Sequence, residues 1–174
     1  TVEEFKKLGC NYWDSWTRSD GKLNIDYVNQ LHKREVILNN NVYTQLEALK
    51  IGLRNDPMSR RHMINLWVPR NLHALSLPCC HYSYQFIVDC DNYLHMIWNQ
   101  RSADVMIGVP SDMVLAWLWV ECLCTELGFL PGEITMNFGD THIYNEHLQN
   151  AMQYLDILEP RLTPIASLNS KFTS

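Results

Sequence analysis

Residues His81–Gln100 read HYSYQFIVDCDNYLHMIWNQ, and this stretch decides the fold. His81 to Asp89 and Tyr93 to Gln100 are two strand-like runs. Cys90-Asp91-Asn92 between them supplies turn chemistry, so the pattern predicts a hairpin. Working toward the N-terminus, Pro69 to Pro78 reads as a connection and His62 to Val68 as a further strand. Val42 to Leu53 places Val42, Leu46, Leu49 and Leu53 on one helical face, and Asn55-Asp56-Pro57 stops that helix. Thr17 to Asn24 is polar, with a turn signal at Asp20-Gly21. Asn11 to Trp16 is a short aromatic segment, and Thr1 to Leu8 can form a helical turn or two. Toward the C-terminus, Ser111 is suited to cap a helix from Asp112 to Leu127, ended by Gly128. Pro131-Gly132 then turns the chain into a strand from Glu133 to Phe138. Tyr144 to Leu158 reads as a last helix, stopped before Pro160. The order of elements predicts a mixed α+β domain without regular βαβ alternation, and no Gly-rich phosphate loop is present.

Composition narrows the classes. The chain has 174 residues, 47% hydrophobic and 19% charged, which suits one domain with a sizeable core and not a disordered segment. A formal net charge of −5 argues against a general nucleic-acid binder, so no obligatory nucleic acid is expected. It still allows a small anion held by a few gathered arginines. The six cysteines show no paired Cys-x-x-Cys zinc pattern, and free thiols of a reducing cytosol fit them better than disulfides. The longest apolar run, Met113 to Val120, is too short to span a bilayer. The expectation is a cytoplasmic protein without a membrane segment.

Three segments carry chemistry. Leu77 to Phe86, LPCCHYSYQF, sets a cysteine before a histidine at the mouth of a strand. Such a thiol can serve as a nucleophile when nearby positive charge lowers its pKa, although this pair alone reads more readily as a buried thiol. Trp98 to Met113, WNQRSADVMIGVPSDM, joins an arginine and a serine, a pairing that suits phosphate, to an aspartate and a Gly-x-Pro. An aspartate near a helix start can equally be a cap. Phe138 to His147, FGDTHIYNEH, shows His142 and Tyr144 two apart, on one side of an extended chain. They could hold a sugar hydroxyl or each other.

Together these segments resemble the thymidylate synthase family, part of a superfamily that includes pyrimidine nucleotide hydroxymethylases. That family carries a Pro-Cys-His segment, a Gln-Arg-Ser-x-Asp…Gly-x-Pro segment and a Gly-Asp-x-His-x-Tyr segment in this order. Here they read Cys79-Cys80-His81, Gln100-Arg101-Ser102-Ala103-Asp104 with Gly108-Val109-Pro110, and Gly139-Asp140-Thr141-His142-Ile143-Tyr144. Asp56-Pro57-Met58-Ser59-Arg60-Arg61 and Tyr12-Trp13-Asp14-Ser15-Trp16 match two further family stretches.

The resemblance implies a thymidylate-synthase-like mixed sheet flanked by helices, with 1–158 as a partial catalytic domain and 159–174 as a divergent C-terminal tail. It implies that Cys80 adds to carbon 6 of a pyrimidine nucleotide, so that carbon 5 attacks 5,10-methylenetetrahydrofolate, here a co-substrate. His81 would organise ordered water beside it. Arg101 and Ser102 would bind the phosphate, and Arg101 would lower the thiol pKa. Arg60 and Arg61 would reach the partner's phosphate across a symmetric homodimer. His142 and Tyr144 would hold the deoxyribose hydroxyl. Asp104 would bond the pterin ring, Trp13 and Trp16 would border the folate, and no metal is implied.

The sequence also departs from the family. An Asn that reads the pyrimidine edge follows the family's Gly-x-Pro; here that place is Asp112. An ionised carboxylate only accepts hydrogen bonds, which suits the amino group of cytosine better than the oxygen of uracil. Related phage deoxycytidylate hydroxymethylases carry Asp there. Residues 17–36 show no counterpart to the family's Gly-Pro-x-Tyr-Gly stretch, and part of its N-terminal and C-terminal regions has no counterpart in the chain. The leading expectation is dTMP formation from dUMP. The alternatives are hydroxymethyl transfer to dCMP, ending in attack of water, and a catalytically silent dimerisation module.

Overall fold

The computed structural model describes residues 2–7, 9, 14–22, 25 and 27–157. Trp13 and the segment from 158 onward lie outside the described residues. The helices are α1 (Val2–Lys7), α2 (Tyr27–His32), α3 (Gln45–Asn55), α4 (Gly108–Leu127) and α5 (Leu148–Leu155). The strands are β1 (Arg34–Leu38), β2 (Asn41–Thr44), β3 (Met63–Asn65), β4 (His81–Val88), β5 (Tyr93–Asp104) and β6 (Leu130–His142). Short 3-10 turns cover Asp14–Trp16, Pro69–Ala74 and Asn145–His147.

The β4–β5 hairpin forms as the sequence predicts, antiparallel from His81↔Gln100 to Val88↔Leu94. It is the centre of a four-stranded sheet in the order β3-β4-β5-β6. β6 runs parallel to β5, so the sheet is mixed, and β5-α4-β6 forms one βαβ unit. Leu94, Met96, Trp98 and Gln100 alternate along β5 and all are buried. Ala116, Val120, Leu123 and Cys124 of α4 recur at helical spacing and pack with the apolar members of that row in one core. Trp119 meets the rings of Tyr84 and Phe86 at 5.7 and 6.1 Å. Each large side chain buried here stabilises the fold by about 1.5–3 kcal/mol. Gly128 ends α4 at φ 80°, its N–H donating to the Cys124 carbonyl at 2.8 Å.

Several boundaries move. Val42 lies on a strand, not a helix: Asn39 and Asn40 take φ 49° and 64° and close a two-residue hairpin between Leu38 and Asn41. The helix starts after Thr44, whose hydroxyl accepts from the Glu47 amide while Glu47 accepts from the Thr44 amide. Ser111 does not cap α4. The helix already starts at Gly108, and the Ser111 hydroxyl donates back to the Ile107 carbonyl at 3.0 Å. β5 runs on to Asp104 and β6 from Leu130 to His142. Pro131 is tolerated inside β6 because β6 is an edge strand. Among the described residues no helix is long and apolar enough to cross a membrane.

Candidate active site

Strand register assembles the site. His81 pairs with Gln100, Ser102 with Asp140 and Asp104 with His142. The three motif segments therefore converge on one end of three neighbouring strands. Gly139 permits the approach there, since a Cβ at this position would sit 2.6 Å from the Arg101 carbonyl oxygen.

The two adjacent cysteines face different surroundings. Cys79 is 4% exposed, belongs to the apolar core and directs its thiol at the Leu66 carbonyl, 3.7 Å away. Cys80 is half-buried at the mouth of β4. Its backbone is held on both sides. Its N–H donates to the Tyr27 hydroxyl at 2.7 Å and its carbonyl accepts from the Arg101 amide at 2.9 Å. The Arg101 guanidinium, 5.8 Å from the Trp67 ring centre, donates to the Pro78 and Cys79 carbonyls at 2.8 and 3.0 Å. Burial pushes the Cys80 thiol pKa up; Arg101 opposes this and the nearby Asp112 charge adds to it, so the lowered pKa that the resemblance implies does not result.

His81 is held by rings. It stacks on Tyr27 with centroids 4.3 Å apart, lies 4.5 Å from the Trp98 ring, and shares a hydrogen bond between Nδ1 and the Tyr84 hydroxyl. Burial lowers its pKa to about 3, so the ring is neutral at physiological pH.

Asp112 is not a helix cap. One carboxylate oxygen, Oδ2, accepts from Gln100 Nε2 at 2.8 Å. Burial raises its pKa, the Gln100 bond opposes that shift, and Asp104 adds to it. Asp104 Oδ1 accepts from the Met106 amide at 3.1 Å. The Ser102 hydroxyl has no partner among the described residues, and the Ser102 carbonyl accepts from Gln100. His142 Nδ1 lies 3.2 Å from Asp140 Oδ1, and the exposed Tyr144 ring meets His142 edge-on at 5.1 Å.

Not every expected residue joins this cluster. Arg60 and Arg61 are exposed. They precede His62, whose carbonyl accepts from the Phe86 amide. Phe86 stands six residues along β4 from Cys80, roughly 20 Å at strand rise. Trp16 is 43% exposed and Trp13 lies outside the described residues. A cavity of about 920 Å³ opens between the turn at Met106–Ile107 and α5; its walls include Met106, bonded to Asp104, and His147, in ring contact with Tyr144, but not Cys80.

Sequence reasoning missed Tyr27, Tyr84 and the role of Gln100. Tyr27 stands in the stretch without a recognised motif, and its ring reaches Cys80 only through tertiary packing of α2. Trp98 and Gln100 could have been linked, because residues two apart on a strand share a face.

The family profile of thymidylate synthase matches residues 1–174, running through 17–36 as well. The thymidylate synthase of Bacillus phage phi3T is 34% identical over 149 residues, covering 86% of this chain and 53% of that protein. The probable thymidylate synthase of Escherichia phage T5 is 36% identical over 120 residues, covering 69% of this chain and 43% of that protein. In structure, thermostable thymidylate synthase A from Bacillus subtilis superposes with a TM-score of 0.80 at 32% identity, covering 89% of this chain and 55% of that one. The chain belongs to the thymidylate synthase family, and its α+β fold is that of the family. It spans about half the length of these relatives.

Proposed function

We propose that this chain supplies the catalytic half of a one-carbon transfer to carbon 5 of a pyrimidine deoxynucleotide, dUMP to dTMP, in the cytoplasm. The observation that carries the reading is the division of labour between adjacent thiols. Cys79 is spent on the core, while Cys80 stands at the open end of β4 on a backbone clamped by Tyr27 and Arg101. A thiol on a fixed backbone is pre-organised for addition to carbon 6 of the base. Once the base is bound, a positive neighbour such as Arg101 favours the thiolate. Neutral His81, anchored by Tyr84, presents one remaining ring nitrogen for ordering water.

Ser102, His142 and Tyr144 line the same sheet end and offer hydroxyl and imidazole groups to phosphate and sugar. Asp104 uses one oxygen on the Met106 amide and keeps the other for a pterin N–H, which fits a folate co-substrate. Methylenetetrahydrofolate would supply the one-carbon unit and, for a methyl product, the hydride; Trp13 and Trp16 would border it. Arg60 and Arg61 lie just before β3, beside the Phe86 end of β4 and away from Cys80, which supports a role at the phosphate of a second copy in a homodimer.

A second reading has its own support. Asp112 takes the position of the family's base-reading Asn, and as a carboxylate with Oδ1 left over from its Gln100 bond it would offer an acceptor to the amino group of cytosine. On that reading the chain hydroxymethylates dCMP. Mass spectrometry of the products, with dUMP and dCMP offered in turn beside methylenetetrahydrofolate, tests both. dTMP supports the first reading and hydroxymethyl-dCMP the second. Neither product from a folded dimer rejects catalysis by this chain.

A further inference from the structure

Trp98 lies wholly inside the core, yet its indole N–H has a polar partner. Nε1 donates to Gln100 Oε1 at 2.8 Å. That bond occupies the acceptor end of the Gln100 amide. The donor end has two hydrogens and two acceptors, the Ser102 carbonyl at 2.9 Å and Asp112 Oδ2 at 2.8 Å. A reversed amide would set its oxygen against that carbonyl and that carboxylate, and its NH2 against the indole N–H. Orientation is thus fixed from both ends. No Gln100 hydrogen is left for a ligand, and Asp112 keeps Oδ1 for one.

We propose that Trp98 is a positioning residue for base recognition. Acting through Gln100, it fixes which atom of residue 112 faces the pyrimidine. The inference rests on the nucleotide reading of the Cys80 site. Trp98 itself touches no ligand. With Gln100 locked, an ionised Asp112 presents an acceptor to the base. An Asn at 112 would be turned the other way round: its oxygen satisfies Gln100 and its NH2 faces the base, a donor suited to the uracil oxygen. Removing the indole N–H leaves Gln100 Oε1 buried without a partner, so turning or withdrawing the amide relieves it, and residue 112 loses its fixed presentation.

The test uses the full chain as wild type, Trp98→Phe, Asp112→Asn and the double variant. Phe retains an aromatic ring beside His81 and Tyr84 and removes the donor. Affinities for dUMP and dCMP are measured by calorimetry, and the Asp112 carboxyl is titrated by carbon NMR. Asp112→Asn should favour dUMP, and adding Trp98→Phe should reduce that dUMP:dCMP ratio about tenfold, the equivalent of one lost buried hydrogen bond. A general loss of stability affects both nucleotides and cancels in the ratio. Asp112 should also titrate higher in Trp98→Phe, because the bond that favours its ionised form weakens. Gln100→Met carries the same test from the other end of the relay if Trp98→Phe does not fold. An unchanged ratio with an unmoved Asp112 titration overturns the positioning role while nucleotide binding stands. Binding of neither nucleotide by a folded wild type overturns the nucleotide reading itself, and the base-reading role with it.

Discussion

The Cys80 amide donates a 2.7 Å hydrogen bond to the Tyr27 hydroxyl, tying the candidate nucleophile to α2. The same phenol ring stacks on His81. One side chain from a short helix therefore fixes two consecutive residues of the motif. Tyr27→Phe should keep the stack and orphan the Cys80 N–H, a loss of about 1–3 kcal/mol for a buried donor. The expected result is a fall in kcat/KM of roughly tenfold or more with the far-ultraviolet spectrum preserved. Full activity in Tyr27→Phe would show that the clamp on Cys80 is dispensable.

His81 makes the fold acid-sensitive in a definite window. Its folded pKa is depressed from 6.5 to about 3 by burial, so its contribution is fully present above 6.5. That contribution is lost as pH falls toward about 3, because the unfolded chain takes up a proton that the folded chain resists. Thermal unfolding between these limits should drop less steeply in His81→Gln than in wild type. Parallel pH profiles for the two proteins would contradict a buried neutral imidazole.

Gly139 sets how closely β6 can lie on β5. Gly139→Ala would place a methyl group 2.6 Å from the Arg101 carbonyl oxygen, and that neighbour is backbone. Overpacking of this kind costs about 1–3 kcal/mol. The strain should loosen the register that sets Ser102 beside Asp140, so nucleotide affinity falls along with the unfolding temperature. Denaturant unfolding and calorimetry on one sample read both. A drop in stability with unaltered affinity would separate β6 from the site.

Arg60 and Arg61 offer a test by complementation. One subunit carries Cys80→Ala, the other Arg60→Ala with Arg61→Ala. In a two-fold dimer one site then holds both lesions and the other neither. Each heterodimer should then carry about half of wild-type activity, and an equal mixture that reassociates at random about a quarter. Proven heterodimers without recovery would place the arginines in their own subunit's site.

The hairpin His81–Gln100, the long helix and its Gly128 stop were legible because alternating strand patterns and a left-handed glycine cap are local signals. The three motifs located the sheet end as well, since register on three adjacent strands converts sequence order into proximity. The β1–β2 hairpin was hidden. Val42, Leu46, Leu49 and Leu53 satisfy helical spacing even though Val42 is in a strand, and the better signals were Asn39-Asn40 and the Thr44-x-x-Glu47 capping box. The parallel pairing of β6 was not legible either, because a crossover leaves no short-range mark. Tyr27 was missed for the same reason: its role arises only when α2 packs on the loop before β4. Arg101 shows a limit of charge reasoning, since a cation beside a thiol does not decide its pKa when burial acts against it.

In the proposed reaction Cys80, and not Cys79, forms the covalent bond to carbon 6. A substrate analogue with fluorine at carbon 5 cannot release that position as a proton, so the chain should stall with the base attached to its nucleophile. The measurement is peptide mass spectrometry after incubating the protein with 5-fluoro-dUMP and methylenetetrahydrofolate, on wild type, Cys80→Ser and Cys79→Ser. An adduct is expected on Cys80 in wild type and Cys79→Ser, and none in Cys80→Ser. An adduct on Cys79, or one that persists in Cys80→Ser, would contradict that assignment.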